Sequence, residues 1–455
     1  MRRIGGAALL AAAGALAGCA APTGADLAAN TASGAAPAER PCPAALGAET
    51  RCFAGIDALG ALYWIAVPSP WNGVLVLHAH GGPELGAPSS ERTARDLARW
   101  SVWPRAGYAW AASSFHQGGV AVHAAAEDTE RLRRIFVAAF GAPQRTILHG
   151  QSWGAGVAAV GAEMFSAKDA SGHPPYDAVL LTSGVLGGGT RAYDFRLDLR
   201  VVYDVVCGNH PRADEPQYPL WQGLPPGTRL TAAALAARVD ECTGIASPVA
   251  QRSLEQRARL KMLLDVIHIP ERTLVSHLQW GTFHFQDIVF TRLAGRNPFA
   301  NEGVRYAGSA DDAALNARVQ RYRADPPAVA AFAADTDPTG KIPVPILTLH
   351  AIDDPTAFVE LESAYREIVD RAGAGDRLVQ VFTDEHEHSY LADAEYLGAM
   401  DALLGWVERG EKPTPASVGA QCARVDARFH PESGCRVVPG YRPAPLAERV
   451  PARAK

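Results

Sequence analysis

The sequence predicts an α/β fold: a mainly parallel central sheet flanked by helices, with a mostly helical and irregular insertion. Two observations carry this. Short unbroken apolar runs recur along the chain, and amphipathic helical patterns separate them. Unbroken runs, rather than alternating ones, mark strands covered by helices on both faces. The second observation is that the rhythm stops near residue 187 and resumes near residue 338. A chain that leaves a sheet and later returns to it carries an insertion over one end, not an independent domain.

The elements follow in order. Residues 74–77 read as a strand entering a Gly pair, and Ala109–Ser113 as a weaker strand. Over 127–140, Leu132, Ile135, Phe136, Ala139 and Phe140 recur at helical spacing until Gly141 stops the helix. Residues 146–149 form the next strand, and a helix over 155–165 follows at once. Ala178–Thr182 is another strand. The block 187–338 holds Cys207, Cys242, many Arg, a helix over 253–267 and the aromatic stretch 280–285. After it come a strand over 344–350, a helix over 358–369 and a strand over Leu378–Thr383. Tyr396, Leu397, Met400, Leu403, Leu404 and Val407 form one face of a last helix. The Pro-rich tail, 413–455, is expected to pack as irregular chain, which leaves 42–412 as the folded domain.

Composition bounds the function. Of 455 residues, 48% are hydrophobic and 20% charged, which excludes a mostly disordered chain. A net charge of −5 gives no electrostatic case for nucleic acid. The one segment apolar enough to meet a bilayer, 4–16, is too short for a permanent span. With Arg2 and Arg3 before it and small residues after it, it reads as an export signal, 1–19. Leu16-Ala17-Gly18-Cys19 resembles a bacterial lipobox. That resemblance implies lipidation of Cys19, with membrane contact through this anchor alone. Ala20 after the Cys implies, by analogy, the outer membrane: its periplasmic face or the cell surface. Residues 20–41 lack large apolar side chains and read as a flexible tether.

Six of the seven cysteines remain once Cys19 is set aside. They fall as Cys42 and Cys52, Cys207 and Cys242, and Cys422 and Cys435. Nearest-neighbour pairing is the simplest of the about 15 connectivities, and an even count suits an oxidising compartment. No CxxC and no Cys/His cluster at ligand spacing occurs, so no metal site is expected.

The sharpest chemical signal is Gly150-Gln151-Ser152-Trp153-Gly154, a G-x-S-x-G between a strand and a helix. Its glycines admit a tight turn that lifts a serine clear of the sheet, with a helix N-terminus behind it to favour developing negative charge. Ser152 is therefore the candidate nucleophile. His78-Ala79-His80-Gly81-Gly82-Pro83 directly follows a strand. Glycines there let backbone N–H groups approach an oxyanion. The candidate donors are the N–H of Trp153 and that of Gly82, or of Gly81, while His80 is expected to brace the loop. A serine hydroxyl needs a base, and the base an orienting acid. The acid candidates are Asp353 and Asp354, on the loop after a strand; the base candidates are His386 and His388, after the last strand.

Together these motifs resemble the α/β-hydrolase superfamily, specifically exported bacterial serine esterases with a large cap. Trp64 to Gly82, with Val67-Pro68 and Trp71-Asn72-Gly73, adds to the likeness, which covers about 42–410. The superfamily's G-x-x-D-P register, with Ala351 where Gly is usual, selects Asp354. A secreted-esterase pattern running from His388 through Glu395 to Trp406, Gly410 and Pro413 selects His388. The resemblance implies a Ser152–His388–Asp354 triad hydrolysing carboxylic esters, small-molecule or oligomeric, without cofactor. A peptidase or amidase of the same fold is the alternative, and a non-catalytic envelope binding protein a third reading. An exopeptidase would need acids in the cap, where Asp240, Glu241 and Glu255 lie. His80, Trp280 and His284 are candidates for the substrate pocket, with Phe283 and Phe285 beside them.

Overall fold

The computed structural model describes residues 36–169, 172–430 and 434–453. The expected signal peptide, Cys19 and residues 20–35 of the expected tether lie outside the described residues. The strands are β1 (Ala38–Arg40), β2 (Thr50–Ile56), β3 (Leu62–Pro68), β4 (Val74–Ala79), β5 (Ala109–Ser113), β6 (Arg145–Gln151), β7 (Ala178–Thr182), β8 (Ile346–Ala351) and β9 (Leu378–Thr383). They form one sheet in the order β1-β2-β3-β5-β4-β6-β7-β8-β9. The edge from β1 to β5 is antiparallel, and the six strands from β5 to β9 run parallel. A parallel core in which β4 crosses back between β5 and β6 is the α/β-hydrolase arrangement. The three antiparallel strands before residue 74 were not expected, and β1 lies inside the stretch read as tether. Apolar residues are sparser in β1 and β2, because strands at the sheet's edge are buried less completely.

The main helices are α1 (Ser90–Arg99), α2 (Val122–Phe140), α3 (Trp153–Met164), α4 (Asp194–Cys207), α5 (Ala232–Thr243), α6 (Leu254–Ile267), α7 (Leu274–Gln286), α8 (Pro326–Thr336), α9 (Glu360–Arg371), α10 (Asp393–Arg409) and α11 (Pro415–Cys422). Alternate strand residues feed two cores. In β4, Leu75 and Leu77 join α2, α3, α9 and the insertion on one face. Val74 and Val76 join α1, α10 and a Trp100, Trp103 and Trp110 cluster on the other. Each such buried aliphatic contributes about 1.5–3 kcal/mol.

The chain leaves the sheet after Thr182 and rejoins it at Ile346, and α4 to α8 form the cap between. Three disulfides join Cys42 to Cys52, Cys207 to Cys242 and Cys422 to Cys435. The second ties the C-terminal ends of α4 and α5 together. Helix α2 starts at Val122, five residues before the expected start at 127. Its N-terminal amides are capped from the cap itself: Asp335 accepts from Val122 N (3.2 Å) and His123 N (3.0 Å). The tail is less irregular than expected. Thr414 and Ser417 form a capping box that starts α11. Val437 then bridges to Thr383 beside β9. Finally Arg453 reaches Asp194 and Asp198 on α4, tying the C-terminus to the cap. No helix of the described residues is long and apolar enough to cross a membrane.

Candidate active site

Ser152 sits at the junction of β6 and α3 with φ 56° and ψ −122°. A non-glycine residue at this φ carries about 1–3 kcal/mol of strain and persists only where its surroundings impose it. The surroundings do so. Ser152 N donates to Thr182 O (2.9 Å), and Ser152 O accepts from Ala155 N (3.1 Å) and Val185 N (3.0 Å). The flanking glycines are steric necessities. A Cβ on Gly150 would lie 2.3 Å from Gly154 O, and one on Gly154 would lie 2.1 Å from Ala79 O.

The loops after β8 and β9 run side by side, joined by Ile352 N to Thr383 O (2.9 Å) and Asp353 N to Glu385 O (3.3 Å). This brings Asp354 to His388. His388 Nδ1 donates to Asp354 Oδ2 (2.8 Å), and Ser152 Oγ lies 2.8 Å from His388 Nε2. Asp354 is buried, and its Oδ1 also accepts from Thr356 N and Ala357 N, each at 2.8 Å. The rival residues are paired with each other instead: His386 Nδ1 lies 2.8 Å from Asp353 Oδ2, with both side chains more than 60% exposed. Glu387 is engaged by Arg272 and Glu385 by Arg436.

A buried group stands behind Asp354. His350 Nε2 donates to Ala357 O (2.8 Å), and its Nδ1 lies 3.2 Å from Glu362 Oε1. Nε2 also lies 3.6 Å from Asp354 Oδ2. Burial opposes charging this ring, but the Glu362 hydrogen bond and the Asp354 and Glu362 carboxylates outweigh it and raise its pKa. Acceptors at both nitrogens and two buried carboxylates nearby favour the charged form of the His350 ring.

Gly81, Gly82 and Trp153 border the same cavity as Ser152 and His388. The Trp153 and Gly82 N–H groups have no hydrogen-bond partner among the described residues, so both are free to donate to a bound oxyanion. Arg92 fixes the loop by binding Gly81 O, Glu84 (3.1 Å) and Asp96 (3.0 Å). His80 braces it, stacked on Phe115 at 4.3 Å, and burial lowers its pKa to about 3.

The cavity, about 270 Å³, is lined by these groups with Pro83, Arg99, Gln151, Val185, Tyr193, Arg196, Trp280 and Thr356. Larger clefts of about 710 and 550 Å³ lie elsewhere and touch none of them. Of the three expected pocket residues, only Trp280 lines the cavity. His80 is held back by its stack on Phe115. His284 is behind Trp280, stacked on it at 4.7 Å, with Nε2 donating to Pro83 O (2.8 Å). Burial, opposed in part by that hydrogen bond, lowers its pKa to about 4. Phe285 is buried against Phe299.

Arg99, Gln151, Tyr193 and Arg196 were not anticipated, because they come from α1, β6, the residue before α4 and α4, and share no sequence signature. Gln151 donates to Ser389 Oγ and accepts from Arg99 (3.1 Å), which also binds Ser389 O. These contacts tie the His388 loop to the strand that carries Ser152. No group of His, Cys, Asp or Glu suited to a metal ion occurs among the described residues.

No family model and no curated protein matches the chain. Among solved structures, feruloyl esterase B from Aspergillus oryzae aligns at 13% identity and TM-score 0.42, over 83% of this chain and 86% of that one. The rice cell wall degrading esterase LipA from Xanthomonas oryzae aligns at 13% identity and TM-score 0.35, over 79% and 87%. An inhibited esterase B from Lactobacillus rhamnosis aligns at 12% and 0.37, over 86% and 95%. These likenesses are too distant to carry an argument about activity, which rests on the geometry.

Proposed function

We propose that this chain is an exported serine hydrolase that cleaves carboxylic esters through an acyl-enzyme on Ser152. One observation carries the reading: an unbroken hydrogen-bond chain from Ser152 through both nitrogens of His388 to buried Asp354, opening onto a cavity. Ser152 Oγ attacks the acyl carbon while its proton passes to His388 Nε2. Asp354 holds the Nδ1–H tautomer and stabilises the imidazolium that forms. The Trp153 and Gly82 N–H groups receive the oxyanion. The C–O bond then breaks, and the leaving alkoxide takes the proton from Nε2. Water, deprotonated by His388, attacks the acyl-enzyme; the acid leaves and Ser152 regains its proton.

The cavity favours esters over aminoacyl substrates. Among the described residues, no carboxylate lines it to receive a free α-amine. The cap acids are engaged elsewhere: Glu241 with Arg212, Glu255 with Arg259, and Asp240 with Ala246 N. The three disulfides support folding in an oxidising compartment. Lipidation at Cys19 completes the reading as an anchor at the cell envelope.

A fluorophosphonate probe with peptide mass spectrometry tests this on the exported chain. The adduct is expected on Ser152 and absent from Ser152→Ala, and aryl esters are expected to turn over where aminoacyl anilides do not. A folded protein that neither labels nor cleaves aryl esters overturns the proposal.

A further inference from the structure

Arg196 stands in the first turn of α4 and lines the cavity that holds Ser152 and His388. It is 94% buried, and no carboxylate among the described residues pairs with it. Its guanidinium carbon lies over three aromatic rings instead: Trp280 at 4.3 Å, Phe195 at 4.5 Å and Tyr193 at 5.6 Å. Among the described residues its side chain makes one hydrogen bond, a long one from Nη1 to Ala192 O at 3.4 Å, and its Nε has no partner. Of the three acids on its own helix, Asp194 and Asp198 are taken by Arg453, and Asp204 accepts from Gln320 Nε2 (3.1 Å). Asp335 and Asp337 from α8 and its C-terminus are spent on Val122 N, His123 N and Thr190 N.

A buried cation without a counter-ion is costly, and proteins keep buried charges paired or ligand-bound. The first turn of a helix makes it costlier still, because the dipole there is positive. Burial lowers the Arg196 pKa to about 9, so the group is still charged at neutral pH. Its histidine neighbours do not share the charge. Burial lowers His277 to about 3 and His284 to about 4, with the charge of Arg196 adding to both shifts. The other cavity arginine, Arg99, is occupied by Gln151 and Ser389.

We infer that Arg196 is the binding residue for a carboxylate on the substrate, so that the ester hydrolysed is an anionic one of small size. This rests on the ester-hydrolase reading of Ser152. A planar guanidinium held by rings presents its N–H fork to a carboxylate, and the ligand supplies the missing counter-ion. The size follows from the 270 Å³ cavity, which has room for about nine waters at the bulk share.

Two matched ester pairs test it. Monophenyl glutarate against phenyl glutaramate places the charge on the acyl half. 4-Acetoxybenzoate against 4-acetoxybenzamide places it on the leaving half. At pH 7, kcat/KM is expected to favour the anionic member at least tenfold in one pair, and that pair tells which half Arg196 holds. Arg196→Met is expected to bring the ratio near one, and Arg196→Lys to leave a part of it. A readout without any variant is protection: glutarate should slow fluorophosphonate labelling of Ser152, and glutaramide should not. Ratios near one for both pairs, in protein whose Ser152 labels normally, overturn this inference and leave the hydrolase reading intact. Absence of labelling overturns the hydrolase reading and this inference with it.

Discussion

Gly154→Ala separates packing from positioning at the elbow. The added Cβ would lie 2.1 Å from Ala79 O and 2.4 Å from His80 O. Both are backbone atoms, so no rotamer relieves the clash. The end of β4 and the start of α3 must part by about 0.9 Å before the nearer contact reaches 3.0 Å, the floor for real Cβ contacts. Overpacking of this kind costs about 1–3 kcal/mol, and a backbone-on-backbone clash belongs at the upper end. The same displacement moves Gly81 and Gly82 away from Ser152. A misplacement of about 1 Å lowers turnover by about 10²-fold. The expected outcome is therefore a Tm lower by a few degrees and a kcat/KM on an aryl ester lower by about a hundredfold. Gly161→Ala in the same helix is the control. Its Cβ meets nothing nearer than Ala126 Cβ at 3.3 Å, and the helix gains up to about 1 kcal/mol of propensity. Steady-state kinetics and thermal melts on both variants decide the matter. Gly154→Ala within threefold of the parent, or Gly161→Ala equally damaged, would refute the reasoning.

His388→Ala is expected to lower kcat by about 10³-fold or more, while His386→Ala, whose Asp353 pair is exposed and screened, stays within threefold; equal losses contradict the assignment. Acid should destabilise the fold. Burial holds the pKa of His210 to about 2, of His80, His149 and His277 to about 3, and of His284 to about 4. Each takes up a proton more readily in the unfolded chain, near pH 6.5, so each withdraws up to about 2 kcal/mol between pH 6.5 and 5. His350, with its raised pKa, acts in the opposite direction: it stabilises below its unfolded pKa and is lost as pH rises through its folded value. Melts from pH 7 to 5 should show a falling Tm, and a constant or rising one contradicts the neutral burial of these rings. Opening the Cys207–Cys242 bond by double Ala substitution removes a cross-link spanning 35 residues, for which chain entropy predicts about 4 kcal/mol at most. Proteolysis should then cut first in the cap; an unchanged cutting pattern contradicts a cap held by that bond.

The parallel half of the sheet was legible because both faces of those strands are buried. Their apolar runs are local and need no partner to be recognised. The antiparallel edge was not, because β1 is wholly exposed and β2 mixes burial with exposure. Helix α2 shows the same limit at its start. The helical spacing marks its body, but Asp335, more than two hundred residues away, decides where it begins. The tail was misjudged because Pro415, which reads as a breaker, occupies the first turn of α11, where a proline's missing N–H costs nothing.

The same division runs through the site. Ser152 and the glycines around it are determined locally: one tight turn between a strand and a helix needs small residues at fixed offsets, and the motif records them. Asp354 and His388 were legible only as members of two adjacent pairs. What separates each from its neighbour is a hydrogen bond to a residue 33 or 34 positions away, which burial strengthens for the Asp354–His388 pair and solvent weakens for the Asp353–His386 pair. Nothing in the sequence joins Arg99, Gln151, Tyr193 and Arg196 as neighbours, since a pocket wall gathered from separate elements has no spacing of its own. That Arg196 is unpaired is a fact of three dimensions alone: it depends on where Arg453, from the far end of the chain, places its charge.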